Sequence, residues 1–435
     1  MEALELARHI VRELKSSGHQ AYFVGGCVRD LLLGGEPKDY DVATDARPDQ
    51  ITALFPKAEL VGAHFGVVLV HNSGAHVEVA TFRSDHAYED GRHPVDVEFE
   101  TDPHQDVLRR DFTINALLLD PDRNEVLDFV GGQADLRNRL VRAIGDPETR
   151  FREDHLRLLR AVRFAARLNY QIEAETLGAI RRLHGLILRV SAERIRDELV
   201  RILTDGGARY GFELLDETGL LSDILPEVAA MKGVAQPPDY HPEGDVWMHT
   251  LLMLEQLRHP SATLALGVLL HDVGKPPTFR VADRIRFDGH VEKGVEMAEA
   301  ILGRLRFSGD QIRQVTALVA NHMRFKDAPQ MKVSTLKRFL RLENFREHLE
   351  LHRLDCISSH GHLDNYELVK QKMQELPEEE IRPKPLITGT DLIAAGYQPG
   401  PAFARILAAV EDAQLESRIQ TREDAMALVR ERFDK

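Results

Sequence analysis

Two groups of residues in this chain have the types and spacing to do chemistry. The first is Val24-Gly25-Gly26-Cys27-Val28-Arg29-Asp30, followed by Lys38-Asp39-Tyr40-Asp41. A short apolar strand running into paired glycines and then a helix brings backbone N–H groups, Gly26 among them, and a helix N-terminus up to a phosphate. Arg29, early in that helix, adds a charge-assisted fork. Asp39 and Asp41 stand two apart on a predicted strand, so their side chains leave one face and can share divalent cations. Two Mg²⁺ ions held there would activate an attacking hydroxyl and steady a leaving pyrophosphate. A glycine pair or an Asp-x-Asp alone is structural in most proteins; together, in this order and this close, they point to a site.

The second group is His249, His271-Asp272, His290, His322 and Asp355. Imidazoles and carboxylates on separate helices can build a mono- or dinuclear metal centre with open positions for water and phosphate, suited to phosphoester hydrolysis. One histidine among 20 is more often a packed or surface residue, so the argument rests on the ordered set.

Elements must position both groups. At 435 residues, 43% hydrophobic and 29% charged, the chain is long enough for several domains and rich enough in apolar residues to bury their cores. Residues 1 to about 140 mix helix with strand: an amphipathic helix at Glu2 to Ser17, a strand at Ala21 to Val24, a helix at Val28 to Leu33, and strands at Tyr40 to Ala43, Gly66 to His71 and His76 to Phe82. After Arg150 the strand signals vanish. Segments such as Asp154 to Leu168, Ala174 to Leu183, Ala192 to Leu203 and Gly211 to Thr218 carry apolar residues at helical spacing. Proline-rich breaks at Gln236-Pro237-Pro238-Asp239 and at Pro377 to Pro385 divide the helical part. The expected domains are 1–140, 141–235, 236–380 and 381–435.

The net charge of −14 speaks against a nucleic-acid partner only on average, because residues 150 to 201 hold twelve Arg against seven acids. That basic segment reads equally well as a solvated helical surface or as a grip on RNA. No apolar run approaches the roughly 20 residues that span a bilayer, and Met1 to Leu14 mixes charges among its apolar residues, so a cytoplasmic protein without a membrane partner is expected. Cys27 and Cys356, far apart and outside any Cys-x-x-Cys spacing, exclude a disulfide framework and a cysteine zinc site. Oligomeric state is not legible.

With its glycine pair and Asp-x-Asp, the chain resembles the polymerase-β-like nucleotidyltransferases, specifically the family of class II tRNA nucleotidyltransferases (CCA-adding) and bacterial poly(A) polymerases. The resemblance continues in order. Gly62 to Val68 and Val77 to Arg83 look like family strands, which would set Glu78 beside the metals as an auxiliary carboxylate, and Arg83 to Arg92 looks like the family's flexible loop. Arg109 to Leu117 is similar to its RRDFTINAL motif, which implies that Arg110 touches the triphosphate. Glu153 to Phe164 resembles its EDxxRxxRxxRF helix. Asp154 and Arg157 are i, i+3 neighbours on the predicted helix face, an acceptor beside a donor for a Watson–Crick edge. The resemblance implies that they replace a template, with Arg160 and Arg163 further along the stripe for phosphates. Leu269 to Pro276, with its His-Asp-x-Gly-Lys, resembles the HD metal phosphohydrolases, where His249, His271, Asp272 and Asp355 match the core ligands and His290 and His322 the extra ligands of dinuclear members. The tail from Pro385 to Pro401 resembles the C-terminal region of HD-containing members.

The expected fold is therefore an α+β nucleotidyltransferase head followed by all-α domains including an HD domain. The expected activity is template-independent addition of CCA, or part of it, to tRNA 3′ ends from CTP and ATP with Mg²⁺, joined by phosphohydrolysis at an HD centre holding Mn, Ni, Co or Fe. An A-only tRNA enzyme or a poly(A) polymerase is the nearest alternative, although residues 60 to 68 lack the basic pair of the tailing enzymes. A further alternative is an HD hydrolase whose N-terminal domain binds RNA.

Overall fold

The computed structural model describes residues 2–61, 66–72, 74–88, 91, 94–238 and 241–433. The chain divides into two units, one of Met1–Ala229 with Leu257–His259 and Arg304–Arg306, the other of Ala230–Gln256, Pro260–Gly303 and Phe307–Lys435. Apart from residues 230–235, the first two expected segments lie in the first unit's main stretch.

The first unit opens with helix α1 (Ala3–Ser16), whose buried Leu6, Ala7, Ile10, Val11 and Leu14 recur at helical spacing and pack on a sheet. Strand β1 (Ala21–Val24) leads through Gly25 into α2 (Gly26–Leu32), and β2 (Asp41–Thr44) pairs back along β1. There follow α3 (Pro48–Leu54), β3 (Ala58–Leu60), β4 (Val67–Asn72), β5 (Ala75–Thr81), β6 (Arg83–Tyr88), β7 (Pro94–Phe99), α4 (Pro103–Leu108), β8 (Leu118–Asp120) and β9 (Glu125–Leu127). The sheet order is β3-β4-β5-β2-β1-β8-β9, antiparallel except for the β2–β5 pair. The strand expected from Tyr40 begins one residue later, and its register explains why. β1 ends at Val24, opposite Asp41, because Gly25 turns the chain with φ +79°. Asp39 therefore precedes the strand, in a bend, and the expectation that it shares a strand face with Asp41 is corrected.

The stretch from Arg83 to Arg92, expected to be a loop, contains β6 in an antiparallel pair with β7. Residues 89–90 and 92 of that stretch, and Gly62 to Phe65 of the expected strand motif, lie outside the described residues.

Beyond the sheet come α5 (Gly132–Asn138), α6 (Pro147–Glu153), α7 (Arg157–Leu168), α8 (Ala174–Leu183), α9 (Ala192–Thr204) and α10 (Ala208–Thr218). Helix α8 has the bounds the sequence predicts because Glu173 caps it, its carboxylate accepting from Glu175 N and Thr176 N. The helix expected from Asp154 starts at Arg157. Asp154 is extended (φ −136°, ψ 105°), and its Oδ1 accepts from Leu156 N at 3.1 Å. A short carboxylate that bonds the backbone two residues on competes with the helix. Asp154 and Arg157 thus do not share a helix face.

Among its described residues the second unit is helical, with the strand pair Arg280–Val281 and Ile285–Arg286. Its helix Ala262–Leu270 is buried almost throughout, as a continuous apolar run requires. Residues 387–429 enclose their own core around Ile387, Leu392, Ile406, Val410 and Val429. No helix among the described residues is long and apolar enough to cross a membrane.

Candidate functional site

In the first unit a cavity of about 490 Å³ is lined by eight arginines against three aspartates, together with Gly25 and Gly26. A lining of that charge suits a polyphosphate. Gly25 is needed for its backbone, at φ +79°, and not for space, since a Cβ there would make only ordinary contacts with Asp41 Oδ2 (3.7 Å) and Arg110 Nη1 (3.9 Å). Asp41 stands in register with Glu78 across the β2–β5 pair. Burial, then Glu78, and to a smaller extent Asp39, raise the Asp41 pKa to about 6 against the pull of Arg110. Crowded carboxylates holding back a proton are what a cation would relieve, so the donor set fits divalent metal ions.

The arginines are held from behind by carboxylates. Asp106, on α4 and 1% exposed, pairs with Arg109 (2.6 Å) and Arg110 (2.8 Å), three and four residues on. Its own burial would raise its pKa, but the two guanidiniums bring it down to about 2. Asp111 pairs with Arg160 at 2.5 Å, and Arg163 Nε lies 2.8 Å from Glu198 Oε2. The ring of Phe164 sits under the guanidiniums of Arg29, Arg160 and Arg163, with centroid distances of 5.3, 5.3 and 4.5 Å. Arg29 is 2% exposed and donates to Asn115 Oδ1 (2.6 Å) and Asp30 Oδ1 (2.8 Å), so most of its fork is spent on the protein itself.

Asp154 and Arg157 line the same cavity, each held separately. Arg157 donates to Glu153 Oε2 (3.0 Å), Arg150 O (3.2 Å) and Arg109 O (2.9 Å). Asp154 accepts from Arg194 Nη2 at 3.2 Å on both oxygens. The cavity thus draws together Gly26, Arg29, Asp41, Arg110, Asp154, Arg157, Arg160 and Arg163, and leaves Asp39 exposed outside its lining.

In the second unit the six expected metal ligands converge. His249, His271 and Asp355 form one set, and Asp272, His290 and His322 another, with the ligand atoms of each set within 4.8 Å of one another. Asp272 faces both sets: His271 Nε2 is 3.1 Å from its Oδ2, while His322 Nε2 and His290 Nε2 are 3.8 and 4.0 Å from its Oδ1. The Nε2 atoms of all four histidines are buried without a well-formed hydrogen bond, those of His249 and His271 lying 3.1 Å from Asp355 Oδ1 and Asp272 Oδ2 and those of His290 and His322 farther from any carboxylate. Buried imidazole nitrogens aimed among carboxylates in this way fit a metal centre, since buried polar atoms otherwise find well-aligned partners. Burial alone would lower the pKa of His249, but Asp355 and Glu243 raise it to about 9; His322, where burial prevails, falls to about 4.

A close backbone crossing fixes this geometry. A Cβ on Gly274 would lie 2.1 Å from His290 O and 2.5 Å from Gly294 N, so only glycine lets helix His290–Arg304 approach the His271–Gly274 turn. Sequence reasoning missed several neighbours. Lys275 Nζ bonds Asp272 Oδ2 (2.7 Å) and Gln236 Oε1 (2.6 Å), and Glu243 Oε1 lies 2.7 Å from His249 Nδ1 and 2.9 Å from His241 Nδ1. The cluster His241-x-Glu243 just ahead of His249 was the available signal for the last of these.

Three family models match: the poly A polymerase head domain over residues 21–142, the RNA and SrmB-binding site of polymerase A over 169–232, and tRNA nucleotidyltransferase domain 2 over 290–429. CCA-adding enzymes of Levilactobacillus brevis and Geobacillus thermodenitrificans are each 44% identical over 219 and 220 residues, covering 50% and 51% of this chain and 55% and 54% of theirs. The chain spans about half the length of the curated relatives it matches. A Bacillus stearothermophilus CCA-adding enzyme solved with CTP is 26% identical with a TM-score of 0.76, covering 100% of this chain and 99% of that one. A Thermotoga maritima CCA-adding enzyme solved with tRNA, 19% identical, shares the fold with a TM-score of 0.60, covering 98% of this chain and 94% of that one.

Proposed function

We propose that the chain is a tRNA nucleotidyltransferase of the family that also holds the poly(A) polymerases, whose head, RNA-binding and second-domain models it matches, and that it adds CCA to tRNA 3′ ends from CTP and ATP, releasing pyrophosphate. One observation carries the reading: a single arginine-lined cavity is bordered both by Asp41 and by Asp154 with Arg157, so phosphoryl chemistry and base selection share one volume. Asp39 and Asp41 would hold Mg²⁺, with Glu78 in support. Bound there, the ions neutralise charge on the α-phosphate and favour ionisation of the ribose hydroxyl. Gly26 N–H and Arg110 bind the triphosphate, while Arg29, Arg160 and Arg163 add positive potential from the wall. Cytosine and adenine each offer an exocyclic amino donor beside a ring acceptor. Asp154 accepts from the first, and Arg157, which keeps free N–H groups beyond its three protein bonds, donates to the second. Uracil and guanine present a carbonyl where the amino group should be, which Asp154 repels.

For the second unit the reading is an HD-type phosphohydrolase centre that takes a divalent transition metal (Mn, Ni, Co or Fe). His249, His271 and Asp355 would hold one ion and His290 and His322 another, with Asp272 between them. Asp272 reaches both sets with different oxygens, which favours two ions over one.

The test is incorporation of labelled CTP and ATP, with Mg²⁺, into tRNA transcripts lacking CCA, ending in CC and ending in CCA. Two C additions, one A and then arrest are expected, with loss of all incorporation in Asp41→Asn. Adenosine added only to the CC-ended transcript, or in unarrested runs, would place the chain with A-adding or tailing enzymes instead.

A further inference from the structure

We propose that Glu243 is a positioning residue of the histidine-rich centre: its Oε1 fixes His249 as the Nδ1–H tautomer, aims Nε2 at the metal, and so sets metal affinity at the His249–His271–Asp355 position. The proposal rests on the reading of that centre as a metal site.

The four candidate ligand histidines share one arrangement. His271 Nδ1 lies 2.8 Å from Val268 O, His290 Nδ1 2.9 Å from Phe287 O, and His322 Nδ1 2.6 Å from Val319 O. A carbonyl oxygen only accepts, so in each ring Nδ1 carries the hydrogen and Nε2 carries the lone pair a metal needs. In all three the carbonyl belongs to the residue three positions earlier, so ordinary backbone geometry sets the tautomer. His249 is different. It sits in the first turn of helix Val246–Glu255, where the chain ahead of it is a cap and not a helical turn. Its ring finds its acceptor in a side chain outside the helix, Glu243 Oε1 at 2.7 Å.

That carboxylate is built for the task. Its side chain is 7% exposed, and the same oxygen is 2.9 Å from His241 Nδ1, so two ring donors pin it. Asp245, the N-cap of the helix, accepts from Met248 N and fixes the turn between Glu243 and His249. A carboxylate behind an imidazole also makes the opposite nitrogen a stronger ligand than a carbonyl does, and losing such a partner typically costs 10- to 100-fold in metal affinity. Among the described residues, Glu243 is thus the side chain whose change unlocks a ligand's tautomer while leaving all six ligands in place.

The experiment is Mn²⁺ titration of the EDTA-stripped full chain, followed by electron paramagnetic resonance and calorimetry. An Asp39→Asn, Asp41→Asn background removes the two aspartates proposed to hold metal in the head. Two sites are expected in that background. Adding Glu243→Ala should weaken one of them 10- to 100-fold and leave the other unchanged. Glu243→Gln, which keeps the volume and one acceptor oxygen, should weaken the same site by less, and it carries the test should the alanine variant melt early in EDTA. Unchanged affinity at both sites in Glu243→Gln and Glu243→Ala would overturn the proposal while leaving the metal centre standing. A background protein that binds no Mn²⁺, or in which His271→Ala leaves binding intact, would overturn the metal reading itself and this proposal with it.

Discussion

Replacing Asp41 with asparagine should destroy nucleotidyl transfer and at the same time make the metal-free protein more stable. A carboxyl whose pKa is raised in the folded state binds its proton more tightly there than in the unfolded chain. The stability this supplies is fully present below the unfolded value of 3.8 and is lost as pH rises through the folded value of about 6. Above that, the protein must hold an ionised Asp41 in a half-buried place beside Glu78. The gap between 3.8 and about 6 corresponds to about 3 kcal/mol of lost stability at pH 7.5, and to about half of that at pH 5, where Asp41 is still mostly protonated. Asparagine keeps the shape and drops the charge. After allowing about 1 kcal/mol for burying the amide imperfectly paired, the gain is about 1–2 kcal/mol, or about 2–8 °C for a unit of this size. Scanning calorimetry of the EDTA-treated chain at pH 7.5 and pH 5 measures it. A variant no more stable than wild type at pH 7.5, or one whose gain is as large at pH 5, would show that Asp41 carries no excess charge cost. Added Mg²⁺ should narrow the difference at pH 7.5, because the ions would stabilise only the protein that keeps the carboxylate.

Three other outcomes are expected. Glu198→Gln leaves the Arg163 guanidinium buried opposite a neutral group and should destabilise the chain by about 3–5 kcal/mol, whereas the double change Glu198→Leu with Arg163→Met should recover most of that in urea melts. Gly274→Ala forces a Cβ to within 2.1 Å of His290 O, so the helix carrying His290 must shift, and Mn²⁺ binding should fall to one site or fewer while CCA addition proceeds. Arg157→Ala should lower discrimination between CTP or ATP and UTP by about 5- to 160-fold, at about 1–3 kcal/mol for breaking the two-point pairing to the base that Arg157 makes together with Asp154; an unchanged ratio of kcat/KM values would remove Arg157 from base selection.

Strands β1, β2, β4 and β5 were legible because each is a short apolar or alternating run, and α8 because its cap and its buried face agree. Strands β3, β8 and β9 have three residues each, too few to show a period. β6, Arg-Ser-Asp-His-Ala-Tyr, carries no apolar alternation at all, and only its pairing with β7 makes it a strand. At the sites, reactive residue types announced themselves: Asp41, Arg110, Asp154 and the six metal-type ligands. Their partners did not. Nothing in the sequence marks Asp106, Asp111 and Glu198 as arginine partners until the fold sets each behind one, and Glu243 is one acid among 70. The helix expected to carry Asp154 and Arg157 together failed because a side chain outbid the backbone hydrogen-bond ladder, a contest that periodicity does not register.

Three of the four histidines hang from carbonyls of their own segments, Val268, Phe287 and Val319. Each of those rings is therefore an extension of one turn of backbone, and fraying that turn rotates the nitrogen away. With ions held as proposed, ion release and local melting would become a single event at these positions, and a bound ion would report on the order of three separate segments at once. Amide hydrogen exchange around residues 268–271, 287–290 and 319–322 should slow together as metal is added. The turn ahead of His249 should respond on its own, through Glu243.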